Sequence, residues 1–273
     1  MRLACFSSAQ GEGVFAASAQ GAWLRLGPRQ DLADWLAPAG QARARQRLAE
    51  ASADVAEPQV WLPPVAPGAR IFCVGINYRS HAGETGRDLP PQPSIFIRTQ
   101  ESLVGARAAL RMPTASSHFD YEGELAVVIG AAARNLSLDE AMSCVAGYTC
   151  FNDGSVRDFQ KHSVTAGKNF DASGACGPWI VTADALPDPA ACMLVTRLDG
   201  MEVQRSSTSL LIYPVPQILS YLSTITQLRP GDIVATGTPA GVGARRDPPL
   251  WMRAGNRVEV EIDAIGTLVN PIE

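Results

Sequence analysis

The sequence has no long apolar run and no extended cluster of basic residues. A helix that crosses a bilayer needs about 20 consecutive apolar residues, and the longest apolar stretches here, such as residues 125–129, have the length of a strand. Lysine and arginine concentrate only in the short series Arg43, Arg45 and Arg47, and the net charge is −4, so nucleic-acid binding is disfavoured. Residues 1–13 lack the apolar core of a signal peptide. We therefore expect a cytoplasmic protein without a membrane or nucleic-acid partner.

Cysteine is present but never in a CxxC pair, and the six cysteines lie in apolar or glycine-rich surroundings. That pattern is typical of reduced, buried thiols rather than of a disulfide framework or a structural zinc site. The 273 residues, 46% of them hydrophobic, suffice for one large domain with a small one attached. A proline-rich run at residues 62–68 predicts the connection, which gives a small N-terminal domain at residues 1–66 and a larger domain at residues 67–273.

Strand patterns outnumber helix patterns along the chain. In the N-terminal domain, short strand-like pieces precede an Ala-, Arg- and Gln-rich stretch at residues 41–51 that favours a helix. In the larger domain, residues 71–75 and 121–130 predict strands. A Ser-x-x-Glu capping box predicts a helix over residues 138–147, and apolar residues at helical spacing predict another helix after Pro214. We expect an α+β fold that is rich in strands and has few helices.

Two glutamates, Glu122 and Glu124, are separated by a single glycine within a predicted strand. Side chains at i and i+2 of a strand share a face, so the two carboxylates project together. Such a pair is costly to bury unless a cation or a proton neutralises it, and a solvated strand face is the plain alternative. Asp153, at the end of the next strand-like segment, offers a third carboxylate. Three carboxylates without a His or Cys ligand match Mg²⁺, Mn²⁺ or Ca²⁺ rather than structural Zn²⁺.

A histidine and a glutamate three residues apart, His81 and Glu84, would be neighbours on one helical turn. A glutamate that accepts the imidazole N–H would orient the ring and raise its basicity, as needed to take a proton from water. A surface histidine in a polar loop is the alternative. His118 and His162 stand in polar stretches beside serines, and we interpret both as non-catalytic.

Several cations and amides follow the third carboxylate in the chain. Arg157 and Gln160 are three residues apart, and Lys168 lies in a Gly-Lys-Asn-Phe turn. Near a carboxylate cluster these groups could bind an anionic substrate, although ordinary surface charge is the alternative explanation. The glycine-rich segment 236–243 has no Gly-Lys-Ser/Thr ending and no helix-forming run behind it, which excludes a nucleotide P-loop.

Six motifs occur in order between residues 73 and 243. They read CVGINYxxHxxE, DYEGELAVVIG, FNDxSxRDxQ, GKNFD, GPWIVT and GDIVATGTPAGVG. In this order they resemble the fumarylacetoacetate hydrolase family over about residues 70–270. The resemblance is closest to the branch that acts on acylpyruvates, oxaloacetate and hydroxymuconate-type acids. It implies a mixed β-rich roll that forms a homodimer.

The resemblance also implies roles for individual residues. It implies that Mg²⁺ or Mn²⁺ is held by Glu122, Glu124 and Asp153. It implies that His81 and Glu84 lie on a mobile lid and activate water, and the composition of residues 79–92, with two Gly, two Pro and few apolar residues, predicts the extent of that lid. It further implies that Lys168 stabilises developing negative charge. Four other side chains would hold an anionic 2-oxo acid: Arg157, Gln160, Thr238 and Arg98.

Two positions depart from the family pattern, and they leave the substrate open. Ile76 stands where mitochondrial acylpyruvase-type relatives carry arginine, and Arg98 stands where many members carry lysine. The implied reaction is hydrolysis of a carbon–carbon bond in a 2,4-dioxo acid, such as fumarylpyruvate or a related intermediate of aromatic-compound catabolism, through a metal-stabilised enolate. Alternatives on the same site are decarboxylation or tautomerisation of oxaloacetate and isomerisation or decarboxylation of a hydroxymuconate. A binding protein that keeps the fold without catalysis is a further alternative.

Overall fold

The computed structural model describes residues 1–18, 21–51, 56, 58–86 and 88–273. The chain begins with strands and two helices that precede the proline-rich run. In order, they are β1 (Arg2–Ser8), β2 (Gly11–Ala17), β3 (Leu24–Gly27), α1 (Leu32–Leu36), α2 (Pro38–Glu50) and β4 (Val60–Leu62).

The rest of the chain alternates strands with short helices. The first part contains β5 (Ile71–Gly75), α3 (Arg79–Thr85), β6 (Ser94–Arg98), β7 (Leu103–Val104), β8 (Phe119–Asp120), β9 (Gly123–Ile129), β10 (Val145–Asn152) and β11 (Ser155–Val156). The second part contains α4 (Arg157–Gln160), α5 (Val164–Lys168), β12 (Gly174–Thr182), β13 (Met193–Leu198), β14 (Met201–Ser207), α6 (Val215–Ile225), β15 (Ile233–Ala235), β16 (Arg257–Ile262) and β17 (Gly266–Pro271).

Eleven strands form one large mixed sheet. Its order is β3-β2-β1-β12-β10-β9-β15-β5-β6, with β4 added to β1 and β7 added to β12. β9 lies inside this sheet and buries all seven of its residues, which is why its apolar residues form a continuous run instead of alternating with polar ones. The N-terminal strands extend the same sheet, because β1 pairs with β12. The division of the chain at residue 66 stays a prediction.

A second sheet of four strands covers one face of the large sheet. Its order is β14-β13-β16-β17. Along β16 the side chains alternate, so that Val258, Val260 and Ile262 are buried while the residues between them are more exposed. The buried side chains belong to the same apolar cluster as Leu125 and Val127 of β9. The core therefore lies between the two sheets, as expected when each has one apolar face.

The α+β fold class with few helices is confirmed, whereas one predicted helix is wrong. The helix predicted after Pro214 is α6. Ser137 and Glu140 do exchange the hydrogen bonds of a capping box, but only a 3₁₀ turn at Ala141–Cys144 follows. The strand β10 begins at Val145 and pairs with both β9 and β12. The predicted helix over residues 138–147 therefore does not form, because pairing inside the buried sheet overrides a local capping signal.

No helix in the described part of the chain is long and apolar enough to cross a bilayer. All six cysteines are buried, and none forms a disulfide. Burial raises the pKa of the Cys5 thiol to about 12, and the same cause raises the pKa of Cys150 to about 12. These thiols are therefore protonated and unreactive at neutral pH.

Candidate active site

The three predicted carboxylates lie close together in the large sheet, where β9 begins and the neighbouring β10 ends. Glu124 lies in β9 opposite Phe151 of β10, Glu122 comes just before β9, and Asp153 directly follows β10. The backbone N–H of Asp153 donates to the Glu122 carbonyl oxygen over 2.8 Å, which holds the two residues side by side. One oxygen from each carboxylate lies within 4.8 Å of the other two, and all three residues are buried. The structure thus brings the three carboxylates together.

Two cations, the buried Lys168 and the partly buried Arg157, neutralise Glu122. Lys168 Nζ donates to Glu122 Oε2 over 2.6 Å and to Asp153 Oδ2 over 2.7 Å. Arg157 Nη2 lies 2.7 Å from Glu122 Oε1, and Arg157 Nε donates to Asp120 over 2.8 Å. Burial raises the pKa of Glu122, but the charges of Lys168 and Arg157 outweigh it and bring the pKa to about 2. Glu122 is therefore ionised at neutral pH.

Glu124 contacts no cation among the described residues. Its Oε2 accepts the backbone N–H of Gly237 over 2.8 Å. Burial, and then the charges of Asp153 and Glu122, raise the pKa of Glu124 well above its ordinary value. A further cation beside Glu124 would compensate this buried charge. Because the three side chains offer only carboxylate oxygens, the ion that fits them is Mg²⁺ or Mn²⁺ rather than a thiolate- or imidazole-bound metal.

Arg98 lies behind the carboxylates. It is 1% exposed and does not line the cavity in front of them. Its Nη1 donates to Asp153 Oδ1 over 2.6 Å and to the Gly154 carbonyl oxygen over 2.9 Å. The other guanidinium N–H groups donate to Ser102 and Ser173. The family resemblance implied that Arg98 binds substrate, but all of its donors are occupied by protein acceptors, so its position makes it a support for Asp153.

His81 and Glu84 form a pair on α3, as their spacing predicts. The helix follows Tyr78 in an extended conformation and ends at Gly86, whose φ of 66° is left-handed. His81 Nδ1 lies 3.0 Å from Glu84 Oε2. Because Glu84 accepts the proton on Nδ1, the other ring nitrogen, Nε2, is left as the basic atom. Both side chains are largely buried, at 9% and 18% exposure.

Backbone N–H groups of the glycine-rich segment 236–243 hold two of the three glutamates of the site. Gly237 donates to Glu124, and Gly241 donates to Glu84 Oε1 over 2.8 Å. Both glycines have positive φ, 102° and 105°. A Cβ at Gly241 would lie 2.1 Å from the carbonyl oxygen of Val203, so this position requires glycine. The sequence analysis excluded a phosphate loop here and assigned only Thr238 a role, so the backbone N–H groups that anchor two carboxylates were missed.

A cavity of about 610 Å³ opens in front of the carboxylates. The predicted site residues that line it are His81, Glu122, Glu124, Asp153, Arg157, Gln160, Lys168 and Thr238. Glu84 lies behind His81, and Arg98 lies behind Asp153, so neither residue lines the cavity. His118, interpreted as non-catalytic, also lines the cavity, with 48% of its side chain exposed and its ring against Trp251. His162 is exposed and lies outside the cavity.

Like Arg98 and Arg157, the other two predicted substrate-binding side chains are already hydrogen-bonded within the protein. Thr238 Oγ1 donates to the Gly123 carbonyl oxygen and accepts from Gln204 Nε2. Gln160 Oε1 accepts from Arg157 Nη1 over 2.9 Å, so the Gln160 amide nitrogen is the donor that remains for a ligand. Gln204 is a residue that sequence reasoning missed, because it comes from β14 of the other sheet and has no motif around it.

Asn77 is a second missed residue, and it fixes the start of α3. It is fully buried, its Nδ2 donates to the carbonyl oxygens of Tyr213 and Thr236, and its Oδ1 accepts the N–H of Tyr213. The Asn-Tyr pair in the first motif was a usable signal. The partners of Asn77 lie more than 130 residues away, so their identity could not be found from spacing.

Comparison with protein families and curated sequences places these motifs among known relatives. A family model described as fumarylacetoacetate (FAA) hydrolase, C-terminal, matches residues 70–273. A mitochondrial oxaloacetate tautomerase from Xenopus laevis is 37% identical over 215 residues, which is 77% of this chain and 67% of the relative.

Two solved structures resemble the fold of this chain. A 5-carboxymethyl-2-hydroxymuconate delta-isomerase from Mycobacterium smegmatis matches with a TM-score of 0.79 and 29% identity, and covers 100% of this chain and 98% of that one. A fumarylpyruvate hydrolase from Pseudomonas aeruginosa, in complex with Mn²⁺ and pyruvate, matches with a TM-score of 0.69 and 32% identity. This match covers 81% of this chain and 92% of that one.

Proposed function

The chain belongs to the fumarylacetoacetate hydrolase family, and from the contents of its cavity we propose that it hydrolyses a carbon–carbon bond in a 2,4-dioxo acid of the acylpyruvate type. The observation that carries the proposal is His81, which is oriented by Glu84 and lines the same cavity as the three carboxylates. Hydrolysis needs both a base for water and a site for an anionic oxo acid. The related fumarylpyruvate hydrolase, with Mn²⁺ and pyruvate bound, supports the same class of substrate.

The carboxylates of Glu122, Glu124 and Asp153 would hold Mg²⁺ or Mn²⁺. The bound ion would supply Lewis-acid stabilisation of the negative charge that develops on the 2-oxo group. Arg98 would keep Asp153 in place, because it occupies the carboxylate oxygen that Lys168 does not contact.

His81 would take a proton from water through Nε2, and Glu84 would stabilise the resulting imidazolium. The hydroxide oxygen forms a bond to the C4 carbonyl carbon, and the bond between C3 and C4 then breaks. Its electron pair stays on C3, which gives a carboxylic acid and the enolate of pyruvate. The proton that His81 took from water then goes to C3 and completes pyruvate, so that His81 is neutral again and one water is consumed for each dioxo acid cleaved.

The cations of the site would stabilise the anionic substrate and its enolate by their charge rather than by direct hydrogen bonds, because all three donors of Lys168 are occupied by Glu122 and Asp153. Lys168 carries its full charge, because burial lowers its pKa but the carboxylates of Asp153 and Glu122 outweigh this and raise it. Preorganised charge of this kind stabilises an oxyanion without reorganisation. The amide nitrogen of Gln160, held in place by Arg157, would donate to the substrate carboxylate.

Tautomerisation of oxaloacetate is the second candidate, and the relationship to the Xenopus laevis enzyme favours it. That reaction moves a proton between the enol oxygen and C3 and consumes no water. The same His81 could carry the proton. Isomerisation of a hydroxymuconate, suggested by the Mycobacterium smegmatis structure, would also be a proton transfer without cleavage.

A substrate panel distinguishes these reactions. Acetylpyruvate, enol-oxaloacetate and a hydroxymuconate are each incubated with the Mn²⁺-loaded protein, while ultraviolet absorbance reports loss of the enol and a coupled assay reports pyruvate. Pyruvate release from acetylpyruvate supports the hydrolase. Loss of enol-oxaloacetate absorbance without pyruvate supports the tautomerase, and no turnover of any compound supports a binding protein.

We also propose that the protein is a cytoplasmic homodimer. The homodimer rests on the family resemblance of the motifs, and the cytoplasmic location rests on the free, buried cysteines. Light scattering on the purified protein tests the dimer, with a mass of twice 29.0 kDa as the expected result.

A further inference from the structure

Ile76 adopts a backbone conformation that is unfavourable for its residue type. It lies between β5 and α3 and has a φ of 51°. Among the non-glycine residues with positive φ in the described chain, Ile76 alone is β-branched. The left-handed region is costly for any side chain with a Cβ, and most of all for a β-branched one. Strain of this kind persists where a function requires the side chain.

Packing in the core does not account for the isoleucine. Ile76 is only half-buried, and it belongs to none of the three apolar clusters that make up the core. The buried hydrogen bonds of Asn77 explain why the chain turns here. They do not explain isoleucine, because glycine or asparagine would make the same turn at a lower cost.

Ile76 instead lines the catalytic cavity, and Phe96 and Val164 are among the other apolar residues that line it. Phe96 lies on β6 with its ring 5.5 Å from Lys168 Nζ and against Gly75, the neighbour of Ile76. Val164 stands one helical turn before Lys168 on α5, lines the cavity and is 37% exposed. We call Ile76, Phe96 and Val164 the apolar wall.

The apolar wall would not suit a charged substituent. A carboxylate placed against it would lose hydration, and the nearest ammonium, Lys168, is already bonded to Glu122 and Asp153. The cations Lys161 and Arg245 also line the cavity, but both are exposed. An aliphatic or aromatic group would gain contacts with the wall that water cannot replace.

We propose that the apolar wall binds the acyl group of the substrate, and that Ile76 selects uncharged acyl groups over those that end in a carboxylate. The inference rests on the proposed function, because it assumes that the oxo acid end of the substrate faces the three carboxylates. It deepens that function by naming the substrate class as acylpyruvates with an apolar acyl chain.

Butanoylpyruvate and succinylpyruvate test the selectivity, since they differ only in a terminal methyl or carboxylate. We expect the unmodified enzyme to have a kcat/KM at least about 10-fold higher for butanoylpyruvate. Ile76→Ala should remove most of this preference by lowering kcat/KM for butanoylpyruvate alone, and Ile76→Arg should reverse it. Ile97→Ala is the matched control, because Ile97 lies on β6, is 43% exposed and does not line the cavity.

Ile76→Gly separates selectivity from folding. Glycine adopts positive φ freely, so this variant should melt about 2–4 °C higher than the unmodified protein and still lose the preference for butanoylpyruvate. A gain in thermal stability together with a loss of selectivity is not expected of a residue whose role is structural. An unchanged preference in Ile76→Gly and Ile76→Ala would overturn the assignment of Ile76.

Binding measurements separate this inference from the proposed reaction. Calorimetry on the Mn²⁺-loaded protein gives the dissociation constants of both acids, whether or not they are cleaved. Tighter binding of butanoylpyruvate without turnover would overturn the hydrolase but support the apolar wall. Equal binding of the two acids, tighter binding of succinylpyruvate, or no binding of either would overturn the apolar wall.

Discussion

Glu122 and Glu124 are separated only by Gly123, yet the structure gives their carboxylates opposite electrostatic surroundings. Glu122 contacts Lys168 and Arg157, and its pKa falls to about 2. Glu124 contacts a single backbone N–H, and burial with the neighbouring carboxylates raises its pKa. In the metal-free protein the first carboxylate is therefore a stabilising ion-pair partner, and the second is a source of strain that a divalent ion would relieve.

The same change at the two glutamates should have opposite effects on the metal-free protein. Glu122→Gln breaks two buried ion pairs and should lower the free energy of unfolding by about 3 kcal/mol. Glu124→Gln removes a carboxyl whose ionised form is penalised by burial and by the neighbouring carboxylates, so it should raise the free energy of unfolding at pH 8. Urea unfolding in the presence of a chelator measures both. Equal destabilisation of the two variants would contradict the claim that the two carboxylates have opposite electrostatic surroundings.

The effect at Glu124 should depend on pH with a defined sign. The pKa of this group is higher in the folded protein than its ordinary value of 4.5, so the folded state binds the proton more tightly. Stability is then lost as the pH rises above about 4.5 towards the folded-state pKa. The advantage of Glu124→Gln should accordingly grow over that range and vanish below pH 4.5. If the stability of Glu124→Gln relative to the unmodified protein instead grows as the pH falls, the pKa of Glu124 is not raised in the folded state.

Arg98 should act on metal binding through Asp153. Arg98→Lys keeps the charge but cannot reproduce the five guanidinium hydrogen bonds. We expect the Mn²⁺ affinity to fall about 10- to 100-fold, as is usual when a residue that holds a metal ligand is changed. Calorimetric titration measures it, with Arg111→Lys at an exposed position as the control. Equal affinities in both variants would show that Asp153 does not need this support.

His81→Ala should remove hydrolysis and leave metal binding nearly intact. The ring is assigned to water and not to the ion, and loss of a general base costs about 10² to 10⁴ in rate. His162→Ala, at an exposed histidine outside the cavity, should retain full activity. Steady-state rates and Mn²⁺ titrations of the two variants provide the comparison. Hydrolysis by His81→Ala at the unmodified rate would exclude His81 as the base.

At the scale of secondary structure, α3 carries the base and is held by contacts at both ends. Asn77 fixes its beginning, and Gly241 binds Glu84 near its end. The sequence predicted a lid over residues 79–92, and the structure places a helix with a buried His81 in its first half. One lid residue, Arg87, lies outside the described residues. The mobility of the lid stays a prediction.

Hydrogen exchange should show whether α3 closes on a ligand. We expect residues 79–92 to exchange more slowly when oxalate is added to the protein with Mg²⁺, because a chelated dianion would draw His81 over the site. Glu84→Ala should raise exchange in the same segment, since it removes the bond to Gly241. The amides of β9 serve as the internal control because that strand is fully buried. Identical exchange with and without oxalate would contradict ligand-driven closure.

Single elements also show how far the sequence could predict the structure. Two features of the site are local and could be found from the sequence. They are the i, i+2 spacing of Glu122 and Glu124, and the i, i+3 spacing of His81 and Glu84. The capping box gave a wrong prediction of a helix over residues 138–147, because pairing of β10 with distant strands outweighs this local signal. The role of Arg98 could not be found either, because its partners come from three other segments that meet only in the fold.

Across the whole molecule, the order of strands explains why distant residues share one cavity. β15 pairs in parallel with β5 and antiparallel with β9. The segments that follow β5 and β15 therefore leave the sheet at the edge where β9 begins. Those segments supply His81 and Thr238, and Glu122 lies at the start of β9. The site is thus a consequence of this topology, which no single motif contains.

The most direct test of the account follows the fate of acetylpyruvate in oxygen-18-enriched water. The Mn²⁺-loaded protein should release acetate and pyruvate in equal amounts, with one solvent oxygen in each acetate. A chelator should abolish the release, and added Mn²⁺ should restore it. Conversion between enol and keto forms without any acetate, or cleavage at the same rate with the chelator present, would contradict metal-dependent carbon–carbon bond hydrolysis at this site.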